Sequence, residues 1–285
     1  AWPRGGCRLE LLSFVFTFPD IDPVAISIGP LQVRWYGLMY LGGFLLGWLG
    51  ARSRARRPDS PVAPAQVDDL VFYVAIGVIA GGRLGYMLFY NFGALIDNPL
   101  AIFRIWEGGM SFHGGLLGVL IAMGVFARHV RQPYFAVTDF IAPWVAPGLG
   151  LGRVGNFING ELWGAEAQAG AFWAVVVDGV PRHPTQLYEA ALEGLVLFSI
   201  LWGFSLRTRP IMAVSGLFLF FYGVFRVAIE FVRLPDLHMN PAEGGYLAFG
   251  WITMGHVLST PMILIGIAFF WWAYRSPRYV QRENA

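Results

Sequence analysis

The stretch GLGLGRVGNFINGELWG, residues 148–164, holds an arginine, two asparagines and a glutamate. It overlaps the end of an apolar run over residues 134–152. An uninterrupted run of about 20 nonpolar residues is typical of a helix that crosses a lipid bilayer. Because polar groups are costly in hydrocarbon, their concentration at the end of such a run indicates a helix-packing network or a functional site.

The remainder of the chain repeats this apolar pattern. Of its 285 residues, 56% are hydrophobic and 13% are charged, whereas a soluble domain carries about 25% charged residues. The runs are continuous, unlike the alternating segments of about 10 residues in a membrane β-barrel. We therefore predict an all-α integral membrane protein with about seven transmembrane helices. The predicted spans cover residues 29–50, 68–92, 109–127, 134–152, 184–205, 211–232 and 250–274.

The arginines predict the orientation of these spans. All 20 basic side chains are arginines, and eleven of them form four clusters after the first, third, fifth and seventh runs. Basic residues in short loops favour the cytoplasm, so we expect a periplasmic amino terminus and a cytoplasmic carboxyl terminus. Arginines gathered at helix ends do not form a surface for nucleic acid, and we expect no such partner. The clusters are Arg52, Arg54, Arg56 and Arg57; Arg128 and Arg131; Arg207 and Arg209; and Arg275, Arg278 and Arg282.

We expect one membrane domain over residues 18–277. Residues 1–17 are expected to form a poorly ordered extension and residues 278–285 a cytoplasmic tail. Residues 93–108 are predicted to form a short helix at the membrane interface. Residues 165–183 are predicted to form a small periplasmic segment with a hairpin, because the strand-like run AVVV precedes Asp-Gly.

Several polar side chains of different spans fall near the predicted outer side of the membrane. The planar guanidinium groups of Arg153 and Arg226 match phosphate oxygens, and Asn156 and Asn159 would add donors. The imidazole of His113 is suited to removing a proton at neutral pH. The group comprises His113, Arg153, Asn156, Glu161, His183, Arg226 and Glu230.

A structural polar network that ties the helices together is the alternative interpretation of these residues. We assign Arg83, Asp139, Glu189 and Glu193 to such a structural role.

Other familiar motifs do not fit this chain. GLGRVG, residues 150–155, matches a dinucleotide fingerprint but lacks the strand and βαβ unit that the fingerprint needs. Ser111 and His113 lack a nucleophile elbow. The five histidines have no metal-ligand spacing and Cys7 is the only cysteine, so these residues predict no zinc site.

Six blocks, in order, resemble those of the bacterial prolipoprotein diacylglyceryl transferases. They are RWYGLMYLGG (34–43), GGRLGYMLFYN (81–91), WEGGMSFHGGLLG (106–118), GLGRVGNFINGELWG (150–164), RHPTQLYEA (182–190) and YGVFRVAIEFVRLPD (222–236).

This resemblance implies transfer of the diacylglyceryl group of phosphatidylglycerol to the lipobox cysteine of a prolipoprotein. A thioether forms, glycerol 1-phosphate leaves, and neither metal nor organic cofactor takes part. It also implies location in the bacterial inner membrane among membrane lipids, with the active site at the periplasmic leaflet. The functional positions of the family fall on Tyr36, His113, Arg153, Asn156, Glu161, Gly164, Tyr222, Arg226 and Glu230.

Within that expectation, Glu161 and Glu230 orient the arginines, and Tyr36 and Asn156 hold the lipid head group.

Two other functions remain open from the residues alone. The arginines would equally serve a transporter or flippase for an anionic phospholipid, and a non-catalytic membrane scaffold would need none of them.

Overall fold

The computed structural model describes residues 16–19, 21–29, 31–168, 170–235 and 240–275. Most of the expected extension, residues 1–15, and the expected tail, residues 278–285, lie outside these ranges. The α-helices are α1 (Trp35–Arg54), α2 (Gln66–Phe89), α3 (Phe92–Asp97), α4 (Phe112–His129), α5 (Tyr134–Ile158), α6 (Thr185–Glu189), α7 (Leu197–Phe204), α8 (Ala213–Glu230) and α9 (Met254–Arg275). The strands are β1 (Phe16–Thr17), β2 (Val24–Ile28), β3 (Leu31–Arg34), β4 (Val175–Val177) and β5 (Val180–Arg182).

Six helical rods in the described ranges are long and apolar enough to cross a membrane. They are α2, α4, α5, α8, α9 and the continuous helix Thr185–Phe204, which includes α6 and α7. Helix α1 has 20 residues, but its five glycines and two terminal arginines make it less apolar than those six. The fold is thus that of a multi-pass membrane protein.

The structure is mostly helical, in line with the predicted all-α membrane protein, and the described residues also contain two small sheets. Strands β2 and β3 form an antiparallel hairpin, so the first predicted span begins too early at residue 29. Gly29 turns the chain there with φ +59°, and pairing with β2 satisfies the backbone of residues that precede α1.

The hairpin predicted within residues 165–183 is confirmed. Strand β4 pairs antiparallel with β5, and the turn residues Asp178 and Gly179 both have positive φ, as a two-residue hairpin turn requires. Strand β1 adds to the free edge of β4 in parallel. The predicted short helix over 93–108 is present as α3 followed by 3₁₀ turns at Pro99–Phe103 and Ile105–Glu107.

Glycines set the distance between α2 and α4. A Cβ atom on Gly118 would lie 2.0 Å from the carbonyl oxygen of Gly77, and one on Gly81 would lie 2.4 Å from that of Gly114. Small residues let helix backbones approach closely in lipid. The glycines that recur every four residues in α2 therefore form a packing surface.

Arg83 and Asp139 have structural roles, as assigned from the sequence. The buried Arg83 guanidinium donates to the carbonyl oxygens of Ala101 at 2.6 Å and Ile102 at 3.1 Å. It thereby fixes the segment between α2 and α4. Asp139 accepts hydrogen bonds from the backbone N–H of Met212 and of Ser215 at the start of α8.

Two arginine-rich loops meet at one end of the bundle. Arg57 donates to the carbonyl oxygens of Ser205 at 3.0 Å and Leu206 at 2.9 Å, which places residues 52–57 beside the loop after α7. Asp139, near the start of α5, contacts the start of α8 at this same end. Arg153 lies 14 residues further along α5, which corresponds to about 20 Å of helix.

Candidate functional site

Three arginines surround one buried carboxylate. The Glu189 side chain on α6 is 1% exposed, and its Oε2 lies 2.9 Å from Nε of Arg153 on α5. Its Oε1 forms an ion pair with Arg226 on α8 and lies 3.3 Å from Nη1 of Arg233. The convergence of the Arg153 and Arg226 guanidinium groups, expected from the sequence, is therefore observed.

Two further carboxylates complete this cluster. Glu230 Oε2 lies 2.7 Å from Arg226 Nη2, and Glu193 Oε2 lies 3.8 Å from Arg153 Nη2. Three guanidinium groups thus face three carboxylates, but Glu193 is paired by charge alone, because neither of its oxygens accepts a hydrogen bond from a described residue. The Arg153 side chain remains 23% exposed and that of Arg226 15% exposed. Since each guanidinium has five N–H donors, donors remain available for an anionic ligand.

The helix that carries Glu189 and Glu193 is irregular at the site. Residues Ala190–Val196 form a π-helical segment between α6 and α7, a feature that is frequent at functional sites. This segment packs directly on α5, because a Cβ on Gly194 would lie 2.7 Å from Cα of Gly150. The close approach brings both carboxylates to Arg153, one helical turn beyond Gly150.

The asparagines of the 148–164 stretch bind a glutamate. Asn156 Nδ2 and Asn159 Nδ2 donate to Glu161 Oε1 over 3.2 and 3.0 Å. The expectation that Glu161 orients an arginine was wrong, because Glu161 forms no ion pair among the described residues and Glu189 holds both guanidinium groups instead. Glu161 orients the two amide side chains.

The loop after α5 is anchored to α6 and to the segment after α8. Thr185 Oγ1 donates to the carbonyl oxygen of Leu162 at 2.9 Å, and Gly164 N–H donates to that of His183 at 2.9 Å. A Cβ on Gly164 would lie 2.6 Å from both Thr185 Cγ2 and the carbonyl oxygen of Val232. The glycine at this position is therefore required by close packing.

Two tyrosines lie on helices that border the cluster. Tyr36, in the first turn of α1, packs its ring on α5, where a Cβ on Gly155 would lie 2.9 Å from Tyr36 Cδ2. Its hydroxyl lies 3.3 Å from that of Tyr40. Tyr222 precedes Arg226 by one turn of α8 and stacks on Phe218 with ring centroids 5.9 Å apart.

His113 lies apart from these contacts. It occupies the first turn of α4, is exposed, and meets the ring of Phe112 edge-on. Within the described residues, it forms neither a hydrogen bond nor an ion pair. The structure thus does not join His113 to the arginines by direct contact.

Sequence reasoning missed the roles of Glu189, Glu193 and Arg233. The available signal was the spacing of the two glutamates, because carboxylates four residues apart in an apolar span lie on one helix face and need positive partners. In the described part of the chain, no three His, Cys, Asp or Glu side chains are grouped so as to hold a metal ion.

Comparison with known proteins shows the family of this chain. The family described as prolipoprotein diacylglyceryl transferase matches residues 23–272. The phosphatidylglycerol–prolipoprotein diacylglyceryl transferase of Oleidesulfovibrio alaskensis is 58% identical over 264 residues, which cover 92% of this chain and 96% of that protein. The enzymes of that name from Methylococcus capsulatus and Pseudomonas aeruginosa are 59% and 54% identical over 264 residues, covering 91% and 92% of this chain and 98% and 97% of theirs. This chain therefore belongs to the prolipoprotein diacylglyceryl transferase family.

Proposed function

We propose that this protein transfers the diacylglyceryl group of phosphatidylglycerol to the lipobox cysteine of prolipoproteins. The names of its relatives state the two substrates and the transferred group. The structural observation that supports the proposal is the pairing of Arg153 and Arg226, from two different helices, with the single buried carboxylate of Glu189. This pairing holds two planar guanidinium groups together where a phosphodiester can bind between them.

In the proposed membrane placement, α1 is a seventh span and the arginine-rich end faces the cytoplasm. The arginine–glutamate cluster then lies at the periplasmic leaflet of the bacterial inner membrane, with the amino terminus on the periplasmic side. Support comes from the contacts of Arg57 with Ser205 and Leu206 at the opposite end of the bundle. Both substrates are membrane-bound, so each reaches the site from within this leaflet.

The phosphate of phosphatidylglycerol binds to the guanidinium donors that the glutamates leave free. Glu189 and Glu230 hold the Arg226 group in place before substrate arrives. Such preorganised cations stabilise negative charge that develops in the transition state, without reorganisation during the reaction. Tyr36 and the amides of Asn156 and Asn159 border the head group, and Glu161, Gly164 and Tyr222 shape its surroundings.

The transfer step forms one bond and breaks another. The cysteine sulfur attacks the glycerol carbon that carries the phosphate ester, and a C–S bond forms. The C–O bond to phosphate breaks, and its electron pair leaves on the oxygen of glycerol 1-phosphate. Arg153 and Arg226 stabilise that leaving charge.

His113 is the proposed acceptor of the thiol proton. A thiol with a pKa of about 8.5 is only a few per cent ionised at pH 7. A positioned base that removes its proton typically raises the reaction rate by about 10²- to 10⁴-fold. The His113 ring is exposed and hydrogen-bonds to no other described residue. Its nitrogens are therefore available to a substrate in the membrane-facing space beside α4.

A direct assay tests this function. Purified protein is incubated with phosphatidylglycerol and a peptide that contains a lipobox cysteine, and the peptide is then weighed by mass spectrometry. We expect the mass to rise by one diacylglyceryl group, and a peptide with serine in place of that cysteine to remain unchanged. No mass gain, together with movement of labelled phosphatidylglycerol between leaflets of proteoliposomes, would establish a flippase instead.

A further inference from the structure

Glu230 connects the arginine cluster to the start of α9. Its Oε2 lies 2.7 Å from Arg226 Nη2, and its Oε1 accepts a hydrogen bond of 2.7 Å from Thr253 Oγ1. Glu230 is 6% exposed and Thr253 is 3% exposed. One oxygen of the carboxylate thus faces the guanidinium, while the other is held by the buried hydroxyl of the residue that precedes α9.

Thr253 is itself held by His256. His256 Nδ1 lies 3.0 Å from Thr253 Oγ1, and its ring meets Phe231 and Trp251 edge-on at centroid distances of 4.9 and 5.6 Å. A hydroxyl has one proton and two lone pairs. That proton goes to Glu230 Oε1. His256 Nδ1 accepts the backbone N–H of Thr253 at 3.3 Å, which fixes the residue that carries the hydroxyl.

A glycine lets the first turn of α9 reach the carboxylate. A Cβ on Gly255 would lie 2.3 Å from Cδ of Glu230, and 2.4 and 2.5 Å from its two oxygens. The backbone N–H groups at the start of a helix carry partial positive charge and favour a nearby carboxylate. Gly255 and Thr253 therefore fix the same side chain from adjacent positions.

We propose that Thr253 is a positioning residue for diacylglyceryl transfer, acting through Glu230 on the Arg226 guanidinium. This inference rests on the proposed function, in which Arg226 binds the lipid phosphate. Without the hydroxyl, the Glu230 carboxylate can rotate about its terminal bond and Oε2 leaves Arg226. Arg226 then keeps only its contact with Glu189, and its planar group no longer has a single orientation toward the substrate.

The test compares three variants in the lipobox-peptide assay. Thr253→Val keeps the shape of the side chain but loses the hydroxyl, and Thr253→Ser restores the hydroxyl. Thr260→Val is the matched control, because Thr260 Oγ1 donates to the carbonyl oxygen of His256 within α9 and does not touch Glu230. The measurements are kcat, KM for phosphatidylglycerol, KM for the peptide, and the thermal midpoint in detergent.

We expect Thr253→Val to lower kcat/KM for phosphatidylglycerol by about 10-fold or more, as for loss of a hydrogen bond to a charged group. KM for the peptide stays unchanged, Thr253→Ser recovers most of the loss, and Thr260→Val behaves as the wild type. Gly255→Ala, which displaces the same carboxylate, has the same kinetic signature as Thr253→Val.

Three results overturn the proposal: wild-type kinetics in Thr253→Val, an equal loss in Thr260→Val, or no recovery in Thr253→Ser. A Thr253→Val protein that only melts earlier, with both substrates affected alike, also overturns it by showing a purely structural role. Failure of the proposed function is distinguishable, because the wild-type protein itself would then leave the peptide unmodified.

Discussion

Replacing Glu189 with glutamine removes the carboxylate that the arginines share while nearly preserving the size of the side chain. Two carboxylates, Glu193 and Glu230, would then face three guanidinium groups. Removing one partner of a buried ion pair costs about 3–5 kcal/mol of stability, because it leaves a charge without compensation. We therefore expect a lower thermal midpoint for Glu189→Gln.

The loss of activity follows from the contacts that Glu189 makes with the two proposed phosphate-binding groups. Arg153 Nε and Arg226 Nη1 each lose a charged partner, at about 1.5–3 kcal/mol per contact. Arg153 keeps its ion pair with Glu193, and Arg226 keeps its ion pair with Glu230. We therefore assign about half of the summed free energy of the two lost contacts to lost positioning of the guanidinium groups. At about 1.4 kcal/mol per factor of ten, kcat/KM should fall by about 10- to 150-fold.

The assay follows the mass gain of a lipobox peptide at several phosphatidylglycerol concentrations, below the melting temperature of the variant. Glu166→Gln is the control, because Glu166 is exposed and forms no ion pair in the described part of the chain. The reasoning fails if Glu189→Gln melts at the wild-type midpoint and its kcat/KM stays within about twofold of the wild-type value, as for a typical surface substitution.

Three further predictions concern the arginines, the base and the helix packing. Arg226→Lys keeps the charge but loses the planar fork, so transfer should fall by about 100-fold or more; a mild loss in the peptide assay would favour a transporter. His113→Ala should lower kcat by about 10²- to 10⁴-fold at pH 7. The kcat of the variant should recover as the pH approaches the thiol pKa of about 8.5, since the thiolate then forms without a base. A pH–rate profile of the variant that runs parallel to that of the wild type would exclude His113 as the base. Gly118→Ala should lower the thermal midpoint through about 1–3 kcal/mol of overpacking between α2 and α4, unlike Gly93→Ala, whose Cβ meets nothing within 4 Å; equal midpoints for the two variants would contradict this.

Helix positions were predictable because their signal is local. A run of apolar residues long enough to cross the hydrocarbon core is visible in the sequence without any knowledge of its neighbours. The prediction failed at residues 29–34, where β3 pairs with β2, because strand pairing depends on a partner segment. The hairpin turn at Asp178 and Gly179 was predictable, since its residue preference is itself local.

The sequence by itself determined the membrane class, the approximate spans and the presence of Arg153 and Arg226 as polar groups too costly to leave unpartnered in lipid. Only the tertiary structure decided that Glu189, and not Glu161, holds both guanidinium groups. It also decided that Thr253, just before α9, reaches Glu230. Hydropathy fixes the depth of a side chain along its helix, but the rotation and contact of neighbouring helices select which carboxylate meets which arginine.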